Sequence, residues 1–202
     1  MGGVWAVAGP LRDPPYFWKC DGEGGCRIIG GIVFPGALSF FSVVLADRGA
    51  TLLVDRVDAL REAVRVTRVA RPFHVDAWVV LPEHLHCIWT LPEGDSDFPG
   101  RWAAIKRRFS GAVPVTEGRS AVRARRGERG IWQRGYWEHT IRGDADFAAH
   151  MDYVHFNPVR HGYVGTPGAW PYSTFRRCVA RGLYPAAWVG RDGGVEEAGE
   201  RM

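Results

Sequence analysis

The sequence predicts a single α+β domain built on an antiparallel sheet, and three observations carry that expectation. The chain has 202 residues, 46% hydrophobic and 24% charged, which is the size and balance of one globular domain with a substantial core. Two stretches, 38–46 and 73–91, are rich in β-branched and aromatic residues, and the second turns back on itself at Leu81-Pro82-Glu83, as a hairpin does. Other stretches place apolar residues three and four apart, the spacing of amphipathic helices. Strands joined by hairpins and longer crossovers suit an antiparallel sheet with helices packed on it.

Taken in order, residues 1–27 show no periodicity. Residues 28–46 carry no charge, a run long enough for a membrane span. Gly30, Gly31, Pro35, Gly36, Ser39 and Ser42 instead favour two short strands around a Pro-Gly turn. Leu38 to Ala46 reads as a strand. Asp55 reads as the N-cap of a helix with Val57, Leu60 and Val64 inward and Arg61, Glu62 and Arg65 outward. Phe73–Val80 and His84–Leu91 form the hairpin. Phe98–Phe109 is a helix with Trp102, Ile105 and Phe109 inward, Ala112–Gly130 a polar loop, and Ile131–Ile141 a strand. Asp144 reads as the cap of a helix with Phe147, Met151 and Val154 inward, and Ser173 opens a last helix closed by Gly182.

The net charge of +4 conceals an uneven distribution. Arg101, Lys106, Arg107, Arg108, Arg119, Arg123, Arg125, Arg126, Arg129, Arg134 and Arg142 face only Glu117, Glu128 and Glu138, giving +8 over 101–142 and −4 elsewhere. Such a local excess is the electrostatic footprint of a polyanion partner, or else a solvated basic loop. Cys20, Cys26, Cys87 and Cys178 form no C-x-x-C pair, which argues against a zinc knuckle or a redox motif. With no basic segment leading an apolar core at the N-terminus, the expectation is a cytoplasmic protein.

Three constellations bear chemistry. In a strand, His84 and His86 stand on one face, with Leu85, Cys87 and Trp89 on the other. Two imidazoles so placed are a ligand pair for a divalent cation, or two ordinary hydrogen-bonding histidines. On a helix, Tyr153 and Asn157 share a face at i and i+4. The tyrosine hydroxyl then reaches a cleft, or stays a half-buried aromatic with a solvated tip. The asparagine offers an amide oxygen to a metal, or caps a new turn that begins at Pro158. Finally, the run from Trp132 to His139 interleaves aromatics with Gln133 and Arg134, which suits stacking on unpaired bases or filling a core.

Together these motifs resemble a known family. The string WVVLPEHLHCIW from Trp78 to Trp89 resembles the HUH motif (His, hydrophobic, His) of the single-tyrosine, IS200-like transposases. GIWQRGYWEHTIR from Gly130 to Arg142 resembles the segment after the basic loop in their REP-associated members, which act at repetitive extragenic palindromes. DYVHFNPVRHG from Asp152 to Gly162 is similar to their tyrosine helix. The segments 170–175 and 181–185 fit the same family, and Arg160 stands where a lysine is common. The resemblance covers 36–188. Residues 1–35 depart from it as an atypical, poorly ordered N-terminal segment, and 189–202 read as a flexible tail.

The resemblance implies a four- to five-stranded antiparallel sheet in a ferredoxin-like or RRM-like HUH fold. It implies a transposase that nicks and rejoins single-stranded DNA at palindromic hairpins through a 5′-phosphotyrosine. Tyr153 matches the nucleophile, and His84, His86 and Asn157 match the ligands of Mg²⁺ or Mn²⁺. Arg107, Arg108, Arg123, Arg125 and Arg126 are expected on hairpin phosphates and Arg134 nearer the cleavage site, with monomer and homodimer both compatible. Two alternatives stand beside this: a non-cleaving hairpin-binding protein of the same fold, and a zinc hydrolase that adds Glu83 or His155 to the histidine pair.

Overall fold

The computed structural model describes residues 17–20, 26–29, 38–115, 125, 127 and 129–190. Two strands, β1 (Phe17–Cys20) and β2 (Cys26–Ile29), pair antiparallel as a separate ladder. The main sheet has four strands: β3 (Leu38–Val44), β4 (His74–Val80), β5 (His84–Thr90) and β6 (Trp137–Thr140). Their order is β4-β5-β3-β6, and every pairing is antiparallel. The expected hairpin is β4–β5. The long strand expected over 131–141 shortens to β6, with Trp132 making only an isolated bridge to Leu45.

The helices are α1 (Leu52–Asp55), α2 (Val57–Ala70), α3 (Phe98–Ala112), α4 (Asp144–Arg160) and α5 (Phe175–Ala180). None of these is long and apolar enough to cross a membrane. Two caps differ from expectation. Asp55 ends a short turn of its own and accepts a hydrogen bond from the Thr51 hydroxyl, so α2 starts after Arg56. Burial of Leu53 draws the chain into that earlier turn. Gly143, not Asp144, precedes α4, with a φ of 83° that a side chain would make costly.

Helices cover both faces of the sheet, and this explains why β4 and β5 are buried at almost every position rather than alternating. On one face, Phe41, Val43, Trp78, Leu85, Cys87 and Trp89 meet α2 and α3. Trp89 stacks on Trp102 of α3 at 4.3 Å. On the other, Phe40, Ala77, Val79 and Ile88 meet α4 and α5. The outer edge of β4 is closed by 172–174: Val80 N donates to Tyr172 O and Thr174 N to Trp78 O, which removes an exposed strand edge. The period-2 alternation of β5 therefore turns His84 and His86 toward α4, as the sequence predicts.

Candidate active site

His84 and His86 are both buried, with ring centroids 4.9 Å apart. His84 Nδ1 lies 2.7 Å from Glu83 Oε1. Burial alone would raise the Glu83 carboxyl, but the hydrogen bond and charge of His84, with Arg48 adding to them, bring it below its ordinary value. An ionised Glu83 accepts from Nδ1–H, which fixes the His84 tautomer and leaves Nε2 as the ligating nitrogen. The Phe40 ring stacks on His86 at 5.6 Å and holds its plane.

The tyrosine helix lies along this pair. Tyr153 meets His86 ring to ring at 5.2 Å, and His161, just past the helix end, meets His84 at 5.1 Å. Positions 153, 157 and 161 form one i, i+4, i+8 stripe, so Asn157 sits on that stripe between the two contacts. Asn157 is 0% exposed, and neither its Oδ1 nor its Nδ2 has a hydrogen-bond partner among the described residues. The N-cap expected at Asn157 does not form: α4 continues through Pro158 to Arg160, and the Asn157 carbonyl accepts from His161 N. Packing of the stripe against the histidines overrides the local capping preference.

Tyr153 is 5% exposed, enclosed by Phe40 at 5.8 Å and His86. The side chain is thus more deeply buried than the half-buried aromatic with a solvated tip that the sequence allows. The guanidinium of the exposed Arg160 lies 5.7 Å from the centre of its ring. Two imidazoles, one oriented by a carboxylate, and a buried unbonded amide are a donor set that fits a divalent cation.

The basic stretch divides. Arg107, Arg108, Arg125 and Arg134 are exposed, while Arg123 and Arg126 lie outside the described residues. Arg101 is 2% exposed and bound to Asp95 and to the carbonyls of Arg71, Pro72 and Asp97. Lys106 bonds the carbonyls of Gln133 and Gly135, and burial pushes it down to about 8. Arg129 bonds Ser110, Val113 and Pro114 carbonyls. These three cations therefore hold the fold together. Arg107 and Arg108 sit on α3, across the sheet from the histidine pair, so the structure does not bring them to the candidate site.

The zinc-hydrolase ligand set does not assemble. His155 faces away, with Nε2 3.0 Å from Thr174 Oγ1, and burial pushes it down to about 3. Glu83 orients His84. The structure gives Glu83, a candidate ligand in the zinc-hydrolase alternative, the role of partner to His84, and adds Phe40, Arg160 and His161 to the candidate site. It also gathers His139, Asp146 and His150, whose candidate ligand atoms lie within 4.8 Å of one another. The i, i+4 spacing of Asp146 and His150 is the one sequence signal of that cluster.

No protein-family model matches the chain. A REP-associated tyrosine transposase of Escherichia coli (strain K12) is 47% identical over 167 residues, covering 83% of this chain and 93% of that protein. The chain belongs to the REP-associated tyrosine transposase family. A Haemophilus influenzae relative carrying the family's name is 43% identical over 160 residues, covering 77% of this chain and 89% of its own. A solved structure of a REP-associated tyrosine transposase bound to a REP hairpin matches with a TM-score of 0.71 at 47% identity, over 83% of this chain and 93% of that one. As a REP-associated tyrosine transposase, the chain is an enzyme, and its described tyrosines are distinguishable by surroundings. Tyr136 packs against the α3 side of the sheet, Tyr163 stacks on Trp170, Tyr172 meets Trp170 edge-on, and Tyr184 bonds Asp152. Tyr153 lies against the imidazole pair.

Proposed function

We propose that this transposase cleaves and rejoins single-stranded DNA beside palindromic hairpins, with Tyr153 as nucleophile and Mg²⁺ or Mn²⁺ held by His84, His86 and Asn157. The observation that carries this reading is the 153/157/161 stripe laid on the histidine pair, with a fully buried, unbonded Asn157 within it. The hairpin bound by the structural relative supports the choice of substrate.

In this mechanism the Tyr153 oxygen attacks the scissile phosphorus and the P–O3′ bond breaks. The tyrosine keeps the 5′-phosphate, and the departing 3′-oxygen takes a proton to become a 3′-hydroxyl. Attack of a second 3′-hydroxyl on the phosphotyrosine restores the phosphodiester and the phenol, with no need for ATP. A free phenol titrates at about 10 and is a weak nucleophile at neutral pH. The cation, when bound, polarises the phosphate as a Lewis acid. Phe40 and His86 confine the Tyr153 ring to one orientation. The Arg160 guanidinium lies 5.7 Å from the centre of the same ring and packs against it. Glu83 keeps His84 Nε2 available.

Arg107, Arg108, Arg123, Arg125 and Arg126 contact hairpin phosphates in this reading, and Arg134, just before the edge strand β6, acts nearer the scissile strand. The catalytic domain spans 36–188, with 1–35 and 189–202 as appendages. The enzyme acts in the compartment of the chromosome, the bacterial cytoplasm.

The enclosure of Tyr153 favours a second reading, a hairpin-binding protein that does not cleave. A labelled single-stranded hairpin incubated with the protein and Mn²⁺ separates the two. The enzyme yields a protein–DNA adduct that survives denaturation, and Tyr153→Phe loses the adduct while retaining binding. Binding without adduct by the unaltered chain establishes the second reading. An adduct undiminished in Tyr153→Phe removes this tyrosine from the mechanism.

A further inference from the structure

We propose that His139, Asp146 and His150 form a second metal site, independent of the His84–His86 pair, that takes Zn²⁺ and ties β6 to the first turns of the tyrosine helix. His139 Nε2 lies 3.2 and 2.9 Å from the two carboxylate oxygens of Asp146. His150 Nδ1 lies 2.9 Å from the same carboxylate, on its Oδ1. All three candidate ligand atoms fall within 4.8 Å of one another. Tetrahedral donors about 2.0–2.1 Å from zinc stand about 3.3 Å apart, so a small closure completes the set.

The surroundings hold each donor in place. The His139 and His150 rings stack at 4.7 Å with planes 14° apart. Trp137 stacks on His139, and Phe40 meets His150 at 5.0 Å. The Asp146 carboxylate accepts from Arg142 N at 2.8 Å, the outer-shell contact that aims a ligating carboxylate. His150 is buried, packed between the Phe40 and His139 rings. Its Nδ1 is also 2.9 Å from the Asp146 carbonyl, a bond that the metal replaces.

Two imidazoles and one carboxylate are a donor set that suits zinc or a neighbouring transition ion. The side chains of His139 and Asp146 are 36% and 25% exposed, so solvent reaches the cluster and water supplies the fourth ligand. The donors come from β6 and from α4, the helix that also carries Tyr153 and Asn157. An ion here pins the start of that helix to the edge strand of the sheet through three bonds at one point.

The full chain carrying His84→Ala and His86→Ala, which silences the other pair, is titrated with Zn²⁺ by calorimetry near neutral pH. The expected result is one Zn²⁺ per chain and a higher melting temperature with zinc. Adding Asp146→Asn should weaken binding by about tenfold or more and remove the thermal shift. Adding His139→Gln, at a half-exposed edge position, should do the same with an unchanged circular dichroism spectrum. Failure of the silenced chain to bind Zn²⁺ below millimolar concentration, or binding unaltered by both substitutions, overturns the site and leaves a carboxylate hydrogen-bonded to two histidines.

Discussion

Replacing Asn157 with leucine should make the metal-free protein more stable while removing a metal ligand. Asn157 is 0% exposed, and both side-chain polar atoms lack hydrogen bonds among the described residues. Each unsatisfied buried group costs about 1–3 kcal/mol, so the low end for two atoms is about 2 kcal/mol. Leucine has a similar size and removes both polar atoms, while its different shape costs up to about 1.5 kcal/mol in repacking. The net expectation is a gain of about 1 kcal/mol, or about 2–4 °C in melting temperature for a chain of this size. The assay is thermal or urea unfolding in chelator, then with Mn²⁺. The unaltered chain should gain stability from the ion, and Asn157→Leu should not. Destabilisation of Asn157→Leu by more than about 1 kcal/mol in chelator would overturn this expectation, because the amide would then be making bonds that hold the fold.

Glu83→Gln should lower Mn²⁺ affinity about 10–100-fold, read by calorimetry, because His84 loses the carboxylate that fixes its tautomer. Since the folded state lowers the Glu83 carboxyl, its contribution is present above the unfolded glutamate range and lost as pH falls through the depressed value. Denaturation curves should show that loss, and Glu83→Gln should lack it. His155 is held down at about 3 by burial. Below its unfolded value of about 6.5 the unfolded state binds an extra proton, so stability should fall from there toward about 3. His155→Gln should flatten that slope in acid unfolding. Arg107→Ala with Arg108→Ala should weaken hairpin binding for all sequences and reduce the salt slope by about 0.9 for each phosphate no longer neutralised.

The histidine face is legible in the sequence because strand alternation is fixed by geometry: the apolar identities of Leu85, Cys87 and Trp89 announce their side, and His84 and His86 must take the other. That this other side is also buried is not legible, since it depends on α4 docking there. The side on which a helix packs is not encoded in its own periodicity, so the sequence does not tell that Arg107 and Arg108 of α3 lie across the sheet from the histidine pair. Charge counting likewise does not distinguish a solvated arginine from Arg101, whose partners Asp95 and Pro72 come from the loops flanking β4 and β5. Asn157-Pro158 carries a genuine local signal for a helix start; the packing of Tyr153 and His161, on either side of Asn157, against the imidazoles outweighs it. The orienting role of Glu83 has no sequence signature, because its neighbour's ring nitrogen becomes its partner only when the turn closes.

One tyrosine of the chain's six should carry the DNA. Mass spectrometry of the tryptic peptides from the covalent adduct formed with a single-stranded hairpin and Mn²⁺ reads this directly. A nucleotide mass is expected on the peptide from Gly143 to Arg160, with fragmentation locating it on Tyr153. A nucleotide on any other tyrosine, or on a residue of another type, would contradict the assignment.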